Sequence, residues 1–157
     1  MKILTKFFVS IFFVGYIKFA PGTWGTLVSL LIMYILLNIL SFPLIILIII
    51  FIFLFFISNY LINYFSFITN SHDSKHIVID ELLGVFIIFL FYDLIFLFND
   101  TLTYLLIFLL FRFFDIFKFF PANFFDKHYK NGYGVILDDI IAGLYTVLTL
   151  IILNAFI

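Results

Sequence analysis

Seven charged residues stand at the edges of long apolar stretches in this chain: Asp80 and Glu81, then Arg112, Asp115 and Lys118, then Asp138 and Asp139. Holding a carboxylate or an ammonium near hydrocarbon costs on the order of a few kcal/mol or more, so such groups face a polar site and pair with each other, a metal or a ligand. Asp80-Glu81-Leu-Leu-Gly84 and Asp138-Asp139-Ile-Ile-Ala-Gly143 have a common design. Helical spacing puts Gly84 one turn beyond Asp80 and Gly143 one turn beyond Asp139, on the same faces. Small residues there let two helices approach closely, which brings the carboxylates together. Such a cluster repels itself unless a cation intervenes, and hard oxygen ligands without cysteine suit Mg²⁺ ahead of Mn²⁺ or Ca²⁺. The competing explanation is that these acids favour the positive ends of two helices, or pair with lysines.

Arg112-Phe-Phe-Asp115-Ile-Phe-Lys118 repeats charge in steps of three, along one broad helix face. Arginine's planar fork grips phosphate or carboxylate oxygens and lysine adds a point charge. Between them, Asp115 has three open roles: to orient Arg112, to bind the metal, or to attack phosphorus. A simple i,i+3 ion pair is the structural alternative. A fourth segment, Phe19-Ala-Pro-Gly-Thr-Trp-Gly-Thr26, reads as a loop leading into a helix. Its glycines, the hydroxyls of Thr23 and Thr26 and a helix N-terminus suit a phosphate, or else form a Pro-Gly turn with Thr26 as the cap. Asp126 lies in a downstream polar loop from which it could join the site. His72, His76 and His128 also read as loop residues, with His76 one turn before Asp80.

The elements that must position these groups are membrane helices. The 157 residues are 66% hydrophobic and 11% charged, with a mean hydropathy of +1.33, far from the roughly one-quarter charged composition of soluble domains. The 27 phenylalanines are spread through every segment and fill lipid-facing positions. Absence of cysteine rules out disulfides and thiolate chemistry. At about 20 residues per crossing the length allows an all-α polytopic bundle of four to five helices in one domain. Residues 3–17 are apolar but short, flanked by Lys2, Lys6 and Lys18, and read as an interfacial or re-entrant segment occupying 1–19. The membrane domain then takes 20–157. Pro43 breaks the uncharged run into helices over 26–40 and 44–69; further helices are expected over 77–98, over 102–118, and from 135 to the end.

With the N-terminus inside, these crossings put residues 1–26, 70–76 and 112–139 on one side. All eight lysines and arginines fall there, while the far side holds only Asp93 and Asp100. The positive-inside rule makes the charged face cytoplasmic.

In order and spacing, Ala20-Pro-Gly-Thr-Trp-Gly-Thr26, Ile79-Asp-Glu-Leu-Leu-Gly84, Phe111-Arg-Phe-Phe-Asp-Ile-Phe-Lys118 with Phe120-Pro121, and Gly134-Val-Ile-Leu-Asp-Asp-Ile-Ile-Ala-Gly143 resemble the motifs of the phosphatidylglycerophosphatase A family, over residues 20–145. The family usually has proline after the lysine, where this chain has Phe119. The resemblance implies a Mg²⁺-dependent lipid phosphatase of the bacterial inner membrane that converts phosphatidylglycerophosphate to phosphatidylglycerol and phosphate. On this reading Asp80, Glu81, Asp138 and Asp139 hold the metal. Arg112, Lys118, Thr23 and Thr26 bind phosphate, and Asp115 and Asp139 take part in the chemistry, with water or an aspartate as nucleophile. The expected partner is a phospholipid substrate, not nucleic acid. Other readings are a different lipid or isoprenoid phosphomonoesterase, an ion-coupled transporter subunit, and a non-catalytic assembly subunit; transporters, however, place coupling charges near the bilayer midplane.

Overall fold

A computed structural model describes residues 2–70, 74–96 and 99–156, and every regular element among them is helical. The first fifteen or so residues do not form one helix. Lys2–Val9 (α1) ends early, Ile11, Phe12 and Phe13 take positive φ of 42°, 55° and 68°, and a 3-10 turn follows at Val14–Tyr16. Three consecutive bulky residues in the left-handed region are strained; burial of Val9 and Ile11 against Ile62, Phe65 and Val78 holds the reversal in place. Eight residues rise about 12 Å, so α1 cannot cross a bilayer alone.

The next helix starts earlier than the expected residue 26. α2 runs Pro21–Tyr34 and continues as a π-helical turn over Ile35–Ile39. The Pro-Gly-Thr-Trp-Gly-Thr segment is therefore helix and not loop. Pro21 stands at its first turn, where a missing N–H costs nothing and φ is already helical. Pro43 precedes α3, Leu44–Thr69, close to the expected range. Many of α3's apolar side chains, Ile49, Phe53 and Phe56 among them, are exposed, as on a lipid-facing helix.

In place of a single helix over 77–98 stand α4, Ile79–Phe89, and a short α5, Tyr92–Ile95. α6 spans Asp100–Phe117, with the Asn99 side chain accepting the Leu102 N–H as its cap. The following polar stretch is not all loop: it contains α7, Ala122–His128, reached through a cis Phe120–Pro121 bond. α8 begins at Gly132, three residues before expected, and runs to Ala155. Asn131 makes that start by accepting the Gly134 N–H at 3.1 Å. His72 and the side chain of Asp126 lie outside what is described.

Among the described residues three stretches are long and apolar enough to cross a membrane, Pro21–Ile39, Leu44–Thr69 and Gly132–Ala155, where four to five helices were expected. α4 falls short because eleven residues rise only about 16 Å. α6 has the length, 18 residues, but carries Asp100, Arg112 and Asp115. The central packing is α4 against α8. A Cβ on Gly143 would lie 2.3 Å from the Gly84 carbonyl oxygen, and one on Gly84 would lie 2.7 Å from that of Asp139. The close approach expected from these two glycines is present, and it requires both of them.

Candidate functional site at the α4–α8 crossing

Asp80 and Glu81 occupy the first turn of α4. Asp138 and Asp139 sit well inside α8, six and seven residues after Gly132. That distance decides one of the alternatives: a helix dipole acts on charges within the first turn, so it cannot account for Asp138 and Asp139. Carboxylate oxygens of Asp80, Glu81 and Asp139 come within 4.8 Å of one another. Glu81 and Asp139 are buried, with 8% and 4% of their surface exposed. Oδ1 of Asp80 and Oε2 of Glu81 are buried with no hydrogen-bond partner among the described residues. Such oxygens are costly to leave unpaired, and hard oxygen donors gathered in this way fit a divalent cation of the Mg²⁺ class.

α6 brings the positive groups. Arg112 Nη1 lies 2.5 Å from Asp115 Oδ2 and 4.0 Å from Glu81 Oε1. The guanidinium is thus fixed between two carboxylates, with Nε buried and lacking a hydrogen-bond partner among the described residues. Of the roles open to Asp115, orienting Arg112 is the one its contact supports. Lys118 does not continue the helical face expected of it. It lies just past the end of α6 with φ of 44°, and its Nζ donates to Asp138 Oδ2 at 2.6 Å. Asp138 therefore belongs to a lysine pair, outside the carboxylate trio. Tyr145 on α8 donates its hydroxyl to the Phe120 carbonyl at 2.5 Å, tying the turn after Lys118 to the helix that carries Asp138.

The carboxylates and Lys118 surround a cavity of about 200 Å³ lined by Pro21, Gly22, Ser74, Lys75, Asp80, Glu81, Asp115, Lys118, Asp138 and Asp139, among others, and Arg112 is not in that lining. Pockets that bury drug-sized ligands run to roughly 300–1,000 Å³, so this one suits a small polar head. Thr23 and Thr26 do not line it. Thr26 is fully buried and its hydroxyl donates to the Gly22 carbonyl at 2.9 Å, within its own helix. What α2 contributes instead is closeness: a Cβ on Gly22 would stand 2.4 Å from Glu81 Oε1 and 3.1 Å from Arg112 Nη1. Lys75 lines the cavity although the sequence reading passed over it, and Gly22 does so from a helix and not from the loop expected of it. Glycine in Pro-Gly reads as a turn, and a lysine in a polar loop reads as solvated.

A sequence model of the family described as phosphatidylglycerophosphatase A matches residues 7–154. A phosphatidylglycerophosphatase A of Haemophilus influenzae is 35% identical over 134 residues, covering 85% of this chain and 78% of its own. One of Escherichia coli is 30% identical over 129 residues, covering 82% and 71%. A protein of Bacteroides thetaiotaomicron provisionally named a phosphatidylinositol-3-phosphatase is 31% identical over 140 residues, covering 84% and 82%. No solved structure matches the chain.

Proposed function

This chain belongs to the phosphatidylglycerophosphatase A family of phosphoric monoester hydrolases, and from that premise we propose that it hydrolyses phosphatidylglycerophosphate to phosphatidylglycerol and phosphate with Mg²⁺ at the α4–α8 crossing. The observation that carries the reading is the trio of Asp80, Glu81 and Asp139, half-buried to buried, two of whose oxygens have no hydrogen-bond partner among the described residues. Those three residues would hold the ion; when bound, it would neutralise phosphate charge and lower the pKa of a bound water.

The chain's own residues do the rest. Arg112, aimed by Asp115, contacts the phosphoryl oxygens, and Lys118, just past the C-terminal end of the same helix, approaches them while paired with Asp138. Hydrolysis breaks the bond between phosphorus and the glycerol oxygen. Water supplies the new oxygen and the departing glycerol takes up a proton. Negative charge on the phosphoryl group must be stabilised throughout, and in phosphoryl transfer positioning and electrostatics supply most of the acceleration. A lipid whose phosphomonoester reaches the interface while its acyl chains stay in the bilayer fits a small polar cavity flanked by apolar helices. The concentration of basic residues on the site's side supports a cytoplasmic face of the bacterial inner membrane.

The test is phosphate release in detergent micelles from phosphatidylglycerophosphate and from phosphatidylinositol 3-phosphate, with and without Mg²⁺. Asp139→Asn and Arg112→Ala, at matched folded protein, should each lose about 10²-fold or more of turnover. Mg²⁺-dependent release from the first lipid and little from the second is expected. The reverse preference would overturn the substrate, and turnover indifferent to chelators would overturn the metal.

A further inference from the structure

Phosphatidylglycerophosphate carries two phosphates: the terminal monoester that is cleaved, and the phosphodiester joining glycerol to the diacylglycerol. The site as described has cations for one. Arg112 is held between Asp115 and Glu81, and Lys118 is paired with Asp138. Lys75 also lines the cavity, with Ser74, from the loop that leads into α4. It is exposed, and none of the ion pairs among the described residues involves it.

The loop that carries Lys75 is anchored. The Ile77 N–H donates to the Ser74 carbonyl at 2.8 Å, and the Val78 N–H donates to the Val9 carbonyl at 3.0 Å. His76 Nδ1 donates to the Gly15 carbonyl at 2.9 Å, and its ring stacks on Tyr16 with centroids 4.3 Å apart and planes 8° from parallel. Gly15 is required for this contact, since a Cβ there would stand 2.2 Å from the His76 carbonyl oxygen. The segment from α1 through the 3-10 turn thus holds His76 and Val78, just after Lys75, while Ser74, just before it, is bonded to Ile77 within the loop. A flexible surface lysine would have no such support.

Resting on the phosphatase reading above, we propose that Lys75 binds the phosphodiester of the substrate, the phosphate that is not cleaved, and so selects lipids that have a second phosphate beside the reacting one. Its ammonium meets that anion at the cavity mouth, while the carboxylate trio and Arg112 engage the monoester inside. A contact of this kind acts on binding and not on the bond being broken, so it shows in KM more than in kcat.

The experiment is steady-state kinetics of wild type, Lys75→Gln and Lys75→Arg on phosphatidylglycerophosphate in mixed micelles. Two inhibitors separate the two phosphates: phosphatidylglycerol, which has only the diester, and orthophosphate, which mimics only the monoester. Loss of one charge-assisted contact should raise KM about tenfold with kcat within about twofold. Inhibition by phosphatidylglycerol should weaken by a similar factor in Lys75→Gln, inhibition by orthophosphate should hold, and Lys75→Arg should recover most of the loss. Equal weakening of both inhibitors, or of neither, would overturn the assignment. Wild type inactive on phosphatidylglycerophosphate would instead overturn the phosphatase reading, and is seen before any variant is compared.

Discussion

Removing Lys118 should do two separable things. Its partner Asp138 is only 5% exposed while Lys118 is a third exposed, so removing the lysine takes an ion-pair partner from a buried carboxylate, at a cost of about 1–3 kcal/mol. Lys118→Ala should therefore lower the thermal midpoint in detergent as well as turnover, whereas Lys118→Ala with Asp138→Asn should regain stability without regaining activity. A double variant as unstable as the single would show that the pair does not carry the cost. Asp115→Asn tests the orienting role differently. Arg112 would lose its 2.5 Å partner yet keep Glu81 nearby, so the fold should survive while phosphate release drops by about 10-fold to 100-fold. Covalent phosphate trapped on Asp115 during turnover would refute that role and make it the nucleophile.

At the level of elements, α4 and α8 must approach closely if their carboxylates are to share an ion. Gly84 and Gly143 set that separation, because a Cβ on Gly143 would meet the Gly84 carbonyl and a Cβ on Gly84 would meet that of Asp139. Gly143→Ala should push the helices apart, with overpacking costing about 1–3 kcal/mol. It should also displace Asp139 from Asp80 and Glu81. Expected together are a lower midpoint without metal and a smaller rise in midpoint on adding Mg²⁺, read by thermal shift. An unchanged Mg²⁺ response would mean that the trio tolerates the displacement. The N-terminal turn is the second positioning element. It holds the 74–78 loop through Val9, Gly15 and Tyr16.

For the whole molecule, orientation is the testable quantity. All eight basic residues lie on the side of the site in the expected topology, and the chain's lack of cysteine makes single-cysteine reporters clean. Ser41→Cys, between α2 and α3, should react with an impermeant maleimide added outside intact cells. Lys130→Cys, just before α8, should react only after permeabilisation. Labelling of both from outside, or the reverse pattern, would overturn a cytoplasmic site.

The sequence by itself determined the apolar, helical character of the chain and which side chains are available for chemistry. Charges are so costly in an apolar chain that the few present marked out a candidate site, and the apolar runs marked out helices. Gly84 and Gly143, one helical turn beyond paired acids, even disclosed which two helices meet. Their register survives small errors in helix ends, because the 3.6-residue period is local. Boundaries and partners were decided by tertiary structure. Asn131 starts α8 three residues early, Pro21 turns an apparent loop into the first turn of α2, and the left-handed Lys118 leaves its helix face for Asp138. Nor could spacing reveal that Thr26 turns back to its own helix, or that Gly22 lies against Glu81 and Arg112. Those outcomes depend on which surface packs across from each residue, and such contacts join segments far apart in the chain.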